Sequence, residues 1–342
     1  MNYRARIDKQ QSLPVLLLAM ATWAGAASGS LAAERIDLEG PIYEGEGHNV
    51  IAPFKNNLVT STVRIRGNLN VPRNAAGPVP LVIIAHSAGG WGGEGETIKE
   101  AMDEAGFATL DYDSYAARNW ENPSRGKGGP KLEAHQAADA YGALKVLQSN
   151  PRIDGRRIAI VGTSAGGNTA LLAASETLHA RYVGKNGPRF AALVALYPGG
   201  YLLPTATDST AKTPILILPA EKDDFMKWER TKVWIDYVKR ENPDVPLDVV
   251  MVPDAHHSFM NKSAPSGNQY NVGTPVAGTC PFALANFSTT GRAYLQLDGS
   301  ISTQFDPACQ GRGATTGYSW KAAQFAMEQT VTFLKRSFAA VD

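Results

Sequence analysis

The chain has 342 residues, 44% of them apolar, and a formal charge of +1 at pH 7. This length and apolar content can bury a large core, and α/β folds of this size often form one domain. Residues 1–33 carry three basic and one acidic side chain, so removing them changes the formal charge from +1 to −1 (+1 − 3 + 1). A nearly neutral chain has no electrostatic reason to bind nucleic acid, an anionic membrane or a polyanionic substrate.

The N-terminal segment has the pattern of a secretory signal. Three basic residues precede the apolar run 13–21, and small residues follow. Cleavage is expected near Ala32 or Ala33, and the apolar run is too short to span a membrane comfortably. We therefore expect a signal peptide at 1–33, a single domain at 34–342, and a secreted or periplasmic protein without stable membrane insertion.

The rest of the chain alternates strand patterns with helical patterns. In 63–69, polar residues fall at every second position, which predicts an antiparallel edge strand before a parallel core. Apolar strand runs and helical stretches then alternate, and this predicts an α/β fold whose mostly parallel, doubly wound sheet has helices on both faces. The strand runs lie at 81–86, 107–112, 157–162, 190–197, 213–219 and 247–252, and the helical stretches include 131–148 and 226–239.

A glycine-rich loop follows the first apolar strand, with four glycines among residues 86–93. Glycines without side chains let the backbone approach a ligand closely. The loop has neither the G-x-x-x-x-G-K-[ST] pattern nor a G-x-G-x-x-G pattern with a following acidic partner. We therefore expect no nucleotide site and no cofactor.

The pentapeptide Gly-Thr-Ser-Ala-Gly at 162–166 lies between an apolar strand and a helical run of small residues. A serine on a sharp strand-to-helix turn is strained, so the residues two before and two after it must be nearly free of side chain. The context predicts a nucleophile elbow with Ser164 as the nucleophile. In hydrolases of this architecture, one oxyanion donor is the N–H after the nucleophile, here Ala165, and the other comes from an earlier loop. We expect Ala88 to be that donor, with Ser87 as the alternative.

A serine nucleophile needs a base and an orienting acid further along the chain. Asp223 and Asp224 follow one predicted strand, and His256 and His257 follow the next. We favour Asp223 as the acid and expect Asp224 to be solvated or to cap the helix that begins near Met226. The choice between the two histidines stays open on these residues alone. The remaining histidines follow no such strand and are expected to be structural or exposed; they are His48, His86, His135 and His179.

The only two cysteines are Cys280 and Cys309, in a segment rich in Gly, Ser and Thr. In an oxidising compartment this pair is expected to form one disulfide. Two distant cysteines without a cluster of histidines do not have the spacing of a zinc site, so no metal is expected. The disulfide would hold a cysteine-containing insert at about 262–318.

Several short motifs from about Val71 to the C-terminal helix resemble the dienelactone hydrolase branch of the α/β-hydrolases. The first aspartate of its acid loop and the histidine two before its phenylalanine are catalytic in that family. The resemblance therefore implies an α/β-hydrolase fold and assigns Asp223 and His257. Besides the elbow, the motifs are Asp113-Ser114-Tyr115 with Arg118, Ala195-Leu196-Tyr197-Pro198-Gly199, Asp223-Asp224-Phe225 and Ala255-His256-His257-Ser258-Phe259.

The chain also departs from that family. Its founding members use a cysteine nucleophile, whereas position 164 is serine. Ala220 replaces the glycine usual before the acid loop, and a long insert follows the histidine. These differences indicate a secreted, serine-nucleophile branch with a remodelled pocket rim.

The residues and the resemblance together predict a secreted serine hydrolase that cleaves carboxylic esters through an acyl-enzyme. The substrate would be a small-molecule or polymer-derived ester. A prolyl-oligopeptidase-like exopeptidase or amidase is the alternative, and a non-catalytic binding protein on a hydrolase scaffold is a third hypothesis. Trp91, Tyr115 and Arg118, with Trp120 and Tyr197, lie in post-strand loops and are expected to line the pocket. Of these, only Arg118 is charged, and it could bind a substrate carboxylate.

Overall fold

The structure is a computed structural model that describes residues 32–43, 59–120, 131–199, 202–208, 212–264, 267–276, 278–285 and 293–341. Its strands are β1 (Ala32–Tyr43), β2 (Val59–Val71), β3 (Val79–Ala85), β4 (Ala108–Tyr112), β5 (Ile153–Thr163), β6 (Ala192–Leu196), β7 (Leu202–Pro204), β8 (Ile215–Leu218), β9 (Leu247–Val249), β10 (Gln269–Val276), β11 (Phe282–Ala285), β12 (Ala293–Leu295), β13 (Ile301–Ser302) and β14 (Gly311–Thr316). Its α-helices are α1 (Gly93–Glu104), α2 (Lys131–Leu147), α3 (Ala165–Leu172), α4 (Glu176–Tyr182), α5 (Trp228–Glu241) and α6 (Trp320–Ala339).

Eight strands form the central sheet in the order β1-β2-β4-β3-β5-β6-β8-β9. The last six strands in this order, β4-β3-β5-β6-β8-β9, are parallel to one another. Strands β1 and β2 are antiparallel to their neighbours. The sheet therefore confirms the predicted fold class. One detail differs, because β2 contains the alternating run 63–69 but pairs with β1 on one side and β4 on the other. Its alternation comes from having one solvent-facing surface, where Arg64 and Arg66 are exposed while Ile65 is buried, and not from being at an edge.

Apolar clusters cover both faces of the sheet. Alternate residues of β3 enter opposite clusters, with Leu81 and Ile83 on one face and Val82 and Ile84 on the other. Helices α2, α3 and α5 contribute to the first cluster, and α1 and α6 contribute to the second. This is the doubly wound arrangement that the alternating pattern predicts. Within the described ranges, no helix is both long and apolar enough to cross a bilayer.

The polar segment after His257 forms small sheets against this core. Strands β10 and β14 pair with each other, and β13, β12 and β11 form a sheet that continues onto β7 from the body of the fold. The expected disulfide between Cys280 and Cys309 is present, with Cα atoms 4.7 Å apart. Arg230 of α5 donates a 3.0 Å hydrogen bond to the Cys280 carbonyl, so the bridge lies against the core.

Most of the expected signal peptide, residues 1–31, lies outside the described residues. Ala32 and Ala33, near which cleavage is expected, are the first residues of β1 and pair with Val71 and Asn70 of β2. His48 also lies outside the described residues.

Candidate active site

Strand β5 turns sharply into α3 at Ser164. The serine has φ 52° and ψ −115°, a left-handed conformation that a non-glycine residue adopts only when its surroundings impose it. Two backbone hydrogen bonds impose it here. The Ser164 N–H donates to the Leu196 carbonyl at 3.0 Å, and the Gly199 N–H donates to the Ser164 carbonyl at 3.1 Å.

The flanking glycines are required by close backbone contacts. A Cβ on Gly162 would lie 2.1 Å from the Gly166 carbonyl oxygen, and a Cβ on Gly166 would lie 2.0 Å from the Ala85 carbonyl oxygen. Both distances are far below van der Waals contact, so the predicted reason for the G-x-S-x-G spacing holds in the structure.

Three side chains form one hydrogen-bonded chain at this turn. The Ser164 Oγ lies 2.9 Å from His257 Nε2, and His257 Nδ1 lies 2.7 Å from Asp223 Oδ2. All three residues are buried, with 6%, 3% and 7% of their surface exposed for Ser164, His257 and Asp223. The neighbouring His256 is not part of this hydrogen-bonded chain, since the ring that faces the serine is that of His257.

The two aspartates of the acid loop have different partners. Asp223 Oδ1 accepts the N–H groups of Phe225 and Met226 at 3.0 and 2.7 Å, which fixes the carboxylate while Oδ2 faces His257. Asp224 caps no helix and is only partly exposed, because it is paired within the protein, contrary to our expectation. Its two oxygens accept the backbone N–H and the hydroxyl of Thr315 in β14, at 2.7 and 2.8 Å.

The surroundings of His257 favour its protonated form. Burial lowers the pKa of the imidazole, but attraction to Asp223 and the hydrogen bond that Nδ1–H donates to that carboxylate outweigh burial. Glu94 and Asp224 add smaller contributions in the same direction, so the pKa of His257 lies above its ordinary value. The ring is also packed, with the Phe225 and Tyr197 rings 4.6 and 5.1 Å away between centroids.

Of the two expected oxyanion donors, Ala165 directly follows Ser164, and Ala88 packs against the cluster formed by Ala165 and Tyr115. Ala165 is the first residue of α3, and it packs with Tyr115 and Ala88. Within the described part of the chain, neither the Ala88 nor the Ala165 N–H has a protein acceptor. An unpaired N–H at a helix start can bind an anionic oxygen.

His86 and Tyr115 fix the loop that carries Ala88. The Ser114 N–H donates to His86 Nε2 at 3.3 Å, which leaves the proton on Nδ1 to donate to the Ser87 carbonyl at 2.8 Å. Burial lowers the pKa of His86, so the ring stays neutral and keeps this tautomer. The Tyr115 hydroxyl donates to the Ala88 carbonyl at 3.2 Å. His86 is thus structural, as expected, but it acts on the candidate oxyanion loop.

Arg118 does not lie where a substrate could meet it. Its side chain is 1% exposed and makes two hydrogen bonds to Asp139 of α2, at 2.7 and 2.8 Å. A third bond reaches the Pro41 carbonyl of β1 at 3.0 Å. The expectation that Arg118 binds a substrate carboxylate is therefore not met, because a buried guanidinium with these partners is a structural ion pair.

The other expected pocket residues divide between the site and its support. Tyr115 packs against Ala165 and so borders the serine. Trp91 is half-buried beside the loop, and its indole N–H donates to Glu96 at 3.0 Å. Trp120 lies edge-on to His135 at 4.8 Å. Tyr197 is 1% exposed and lies behind His257, so it supports the base and does not face the pocket.

Two residues near the serine were missed by the sequence reasoning. Gly199 faces the nucleophile, since a Cβ there would lie 3.3 Å from Ser164 Oγ. Glu94, in the glycine-rich stretch, is buried between Tyr197 and Thr163. Its only sequence signal is an acidic residue at a helix start, which is common on surfaces.

Among the described residues, no group of three or more His, Cys, Asp or Glu side chains could hold a metal ion. The elbow brings together a buried hydroxyl, imidazole and carboxylate, with the backbone N–H groups of Ala88 and Ala165 nearby. These are the parts required for acyl transfer.

Three solved structures give the scale of the similarity to known proteins. A dienelactone hydrolase-like promiscuous phosphotriesterase from metagenomic libraries is 18% identical, with TM-score 0.52, covering 90% of this chain and 99% of that chain. A putative dienelactone hydrolase from Klebsiella pneumoniae subsp. pneumoniae is 16% identical, with TM-score 0.51, covering 89% and 99%. A Pyrococcus furiosus esterase is 16% identical, with TM-score 0.45, covering 66% and 85%. At these identities the first two structures show a likeness of fold.

No curated protein matches the sequence. The sequence model of the dienelactone hydrolase family matches residues 65–275, which is more than half of the chain. This match spans the elbow, both aspartates and both candidate histidines. The chain therefore belongs to the dienelactone hydrolase family.

Proposed function

We propose that this protein is a serine hydrolase of carboxylic esters, with Ser164 as nucleophile, His257 as base and Asp223 as orienting acid. The observation that carries the proposal is the continuous hydrogen-bonded chain from Asp223 through His257 to Ser164. Nucleophile, base and orienter within hydrogen-bond reach are the geometric signature of nucleophilic catalysis.

The chemistry follows from the atoms in contact. His257 Nε2 takes the proton as Ser164 Oγ bonds to the ester carbonyl carbon, and Asp223 holds Nδ1–H and stabilises the imidazolium. The carbonyl oxygen becomes an oxyanion, to which the Ala88 and Ala165 N–H groups donate hydrogen bonds. The imidazolium returns its proton to the alcohol oxygen as the ester bond breaks. Water then attacks the acyl-enzyme by the same route, and Ser164 is restored.

The substrate we propose is a small ester without a required negative charge. Arg118, the charged candidate for binding a carboxylate, is held by Asp139. The residues bordering the serine are apolar or aromatic, including Tyr115, Phe225 and Met226. Apolar sites with a few convergent polar groups bind uncharged acyl groups well.

We further propose that the protein acts outside the cytoplasm. The N-terminal residues have a signal-peptide pattern, and the Cys280 to Cys309 disulfide requires an oxidising compartment to persist. Cell fractionation of the full chain, with a protease-protection assay, tests this part independently of catalysis.

The central experiment uses residues 34–342 with a panel of p-nitrophenyl, aryl and lactone esters and with matched aminoacyl amides. Ester turnover and labelling by a fluorophosphonate are expected, and both should disappear in Ser164→Ala because a triad nucleophile supplies about 10⁶ in kcat. The exposed Ser300 gives the matched control, since Ser300→Ala should label and turn over normally. Turnover by Ser164→Ala within about tenfold of the unsubstituted enzyme would reject the elbow assignment. Preference for amides over esters would reject the substrate class.

A further inference from the structure

Glu94 is a buried acidic residue to which the proposed mechanism gives no role. It is the second residue of α1 and is 6% exposed. Its Oε1 accepts the Tyr197 hydroxyl at 3.0 Å, and its Oε2 accepts the Thr163 hydroxyl at 3.2 Å. Burying a carboxylate costs several kcal/mol unless its surroundings compensate, so this placement calls for a reason.

The two partners of Glu94 are neighbours of the reacting groups. Thr163 is the last residue of β5 and directly precedes Ser164. Tyr197 follows β6 in a left-handed conformation, with φ 34°, and its ring lies edge-on to the imidazole of His257. One carboxylate therefore connects the strand end that carries the nucleophile with the ring that packs against the base.

Both oxygens of Glu94 act as hydrogen-bond acceptors. Each accepts a bond from a hydroxyl, which is the arrangement that suits a carboxylate. Burial and the adjacent Glu94 raise the pKa of Tyr197 well above its ordinary value, so the phenol keeps its proton and remains the donor. A negative charge at the N-terminal turn of a helix is also favoured by the helix dipole.

We propose that Glu94 is a positioning residue: its carboxylate fixes the residue before the nucleophile and the ring beside the base, and its charge supports the imidazolium that forms during the reaction. This inference rests on the proposed esterase function. Under this proposal Glu94 is a second buried carboxylate that supports His257, in addition to Asp223.

The charged and titratable groups around His257 come from three places in the fold. Asp223 and Asp224 follow β8, Glu94 begins α1, and Tyr197 follows β6. The three carboxylates each raise the pKa of His257 against the effect of burial. Replacing Glu94 by a neutral isostere should therefore lower the pKa of His257. The base is then deprotonated at lower pH, so the acidic limb of the kcat/KM profile should move to lower pH.

The test compares Glu94→Gln with Glu104→Gln, which removes the same charge from an exposed position in the last turn of α1. Both variants are assayed with a p-nitrophenyl ester across pH, and their thermal midpoints are measured. For Glu94→Gln we expect the acidic limb to move down by about half a pH unit or more, and kcat to fall about three- to tenfold at unchanged KM. Glu104→Gln should change neither. Glu94→Asp keeps the charge and should keep the acidic limb of the unsubstituted enzyme.

A folded Glu94→Gln variant whose acidic limb does not move overturns the proposal, whatever its kcat. If Glu94→Gln does not fold, Tyr197→Phe decides the question, because it keeps the ring and removes one hydroxyl bond to the carboxylate. A fall in kcat of about threefold at unchanged KM supports the proposal, and an unchanged kcat overturns it. The Ser164→Ala variant distinguishes a failure of the proposed function from a failure of the proposed role of Glu94. If that variant retains activity, the proposed function fails, whereas normal dependence on Ser164 with an unmoved acidic limb rejects only the role of Glu94.

Discussion

Because Asp223 and Asp224 are adjacent, the assignment of the orienting acid can be tested by making the same Asp→Asn substitution at each position. In Asp223→Asn, the amide oxygen can still accept the backbone N–H groups of Phe225 and Met226, which leaves the NH₂ group facing His257 Nδ1. An N–H donor at that position forces Nδ1 to accept, and the imidazole proton moves to Nε2. The base can then no longer accept the serine proton. We expect kcat to fall about 10⁴-fold with the fold retained, as the wrong tautomer alone produces that loss in serine hydrolases.

In Asp224→Asn, the same change acts on the Thr315 contact. The amide oxygen can accept one of the two Thr315 donors, and the other bond at 2.7 or 2.8 Å is lost. A hydrogen bond to a charged group is worth about 1.5–3 kcal/mol, and partial exposure of Asp224 reduces this to about 1–2 kcal/mol. The thermal midpoint should fall by about 2–4 °C, with kcat changed less than about tenfold.

The assay is steady-state kinetics on both variants together with thermal unfolding followed by circular dichroism. The expected result is a crossed pattern, in which Asp223→Asn loses activity and Asp224→Asn loses stability. If Asp224→Asn is the inactive variant while Asp223→Asn retains most of its kcat, the acid assignment is refuted. Equal loss of activity in both variants, with unchanged midpoints, would refute the distinction between orienting and anchoring roles.

Three further results are expected from the same geometry. His257→Ala should lose orders of magnitude in kcat, while His256→Ala should lose far less, so an inactive His256→Ala would place the base one residue away. Because the pKa of His257 is raised above 6.5 and the base must be neutral, kcat/KM should be half-maximal above pH 6.5 and fall as pH decreases, and a half-maximal point below that value would contradict the charge environment. Reducing the Cys280 to Cys309 bridge, whose sequence separation is 29, should lower stability by about 3–4 kcal/mol while room-temperature activity persists, and two free thiols in unreduced protein would exclude the bridge.

The fold could be predicted because its signals are local. Several of the parallel strands are buried on both faces and appear as continuous apolar runs, as in Leu81-Val82-Ile83-Ile84 of β3. The position of β2 could not be predicted in the same way. Alternation reports which face of a strand meets solvent, and it does not report whether a further strand, here β1, pairs along its outer edge.

The residues of the candidate site differ in the same way. Some are indicated by a local sequence motif, and others depend on partners that are distant in the sequence. Gly162 is required by its close contact with Gly166 in the same turn, and the G-x-S-x-G spacing is itself local, so the elbow is visible in the sequence. Arg118 was wrongly assigned to the pocket because its partner Asp139 lies on α2, outside the loop that carries the arginine. An arginine in a post-strand loop has the same sequence pattern whether it binds a ligand or a buried carboxylate. Glu94 was missed for the same reason, because Tyr197 is 103 residues away.

The cysteine-containing segment after the histidine loop, at about 262–318, contacts both loops that support the proposed chemistry. Thr316 of β14 forms a bridge with His257, and the Gly317 N–H donates to the His257 carbonyl at 3.2 Å. The preceding residue, Thr315, holds Asp224 beside the orienting acid. Thr315 binds the Asp224 side chain through its N–H and its hydroxyl, while Thr316 and Gly317 meet the backbone of His257. A shift of β14 would therefore move both the acid loop and the base loop. The insert thus contacts the site through β14, and Cys309 of the disulfide lies just before this strand.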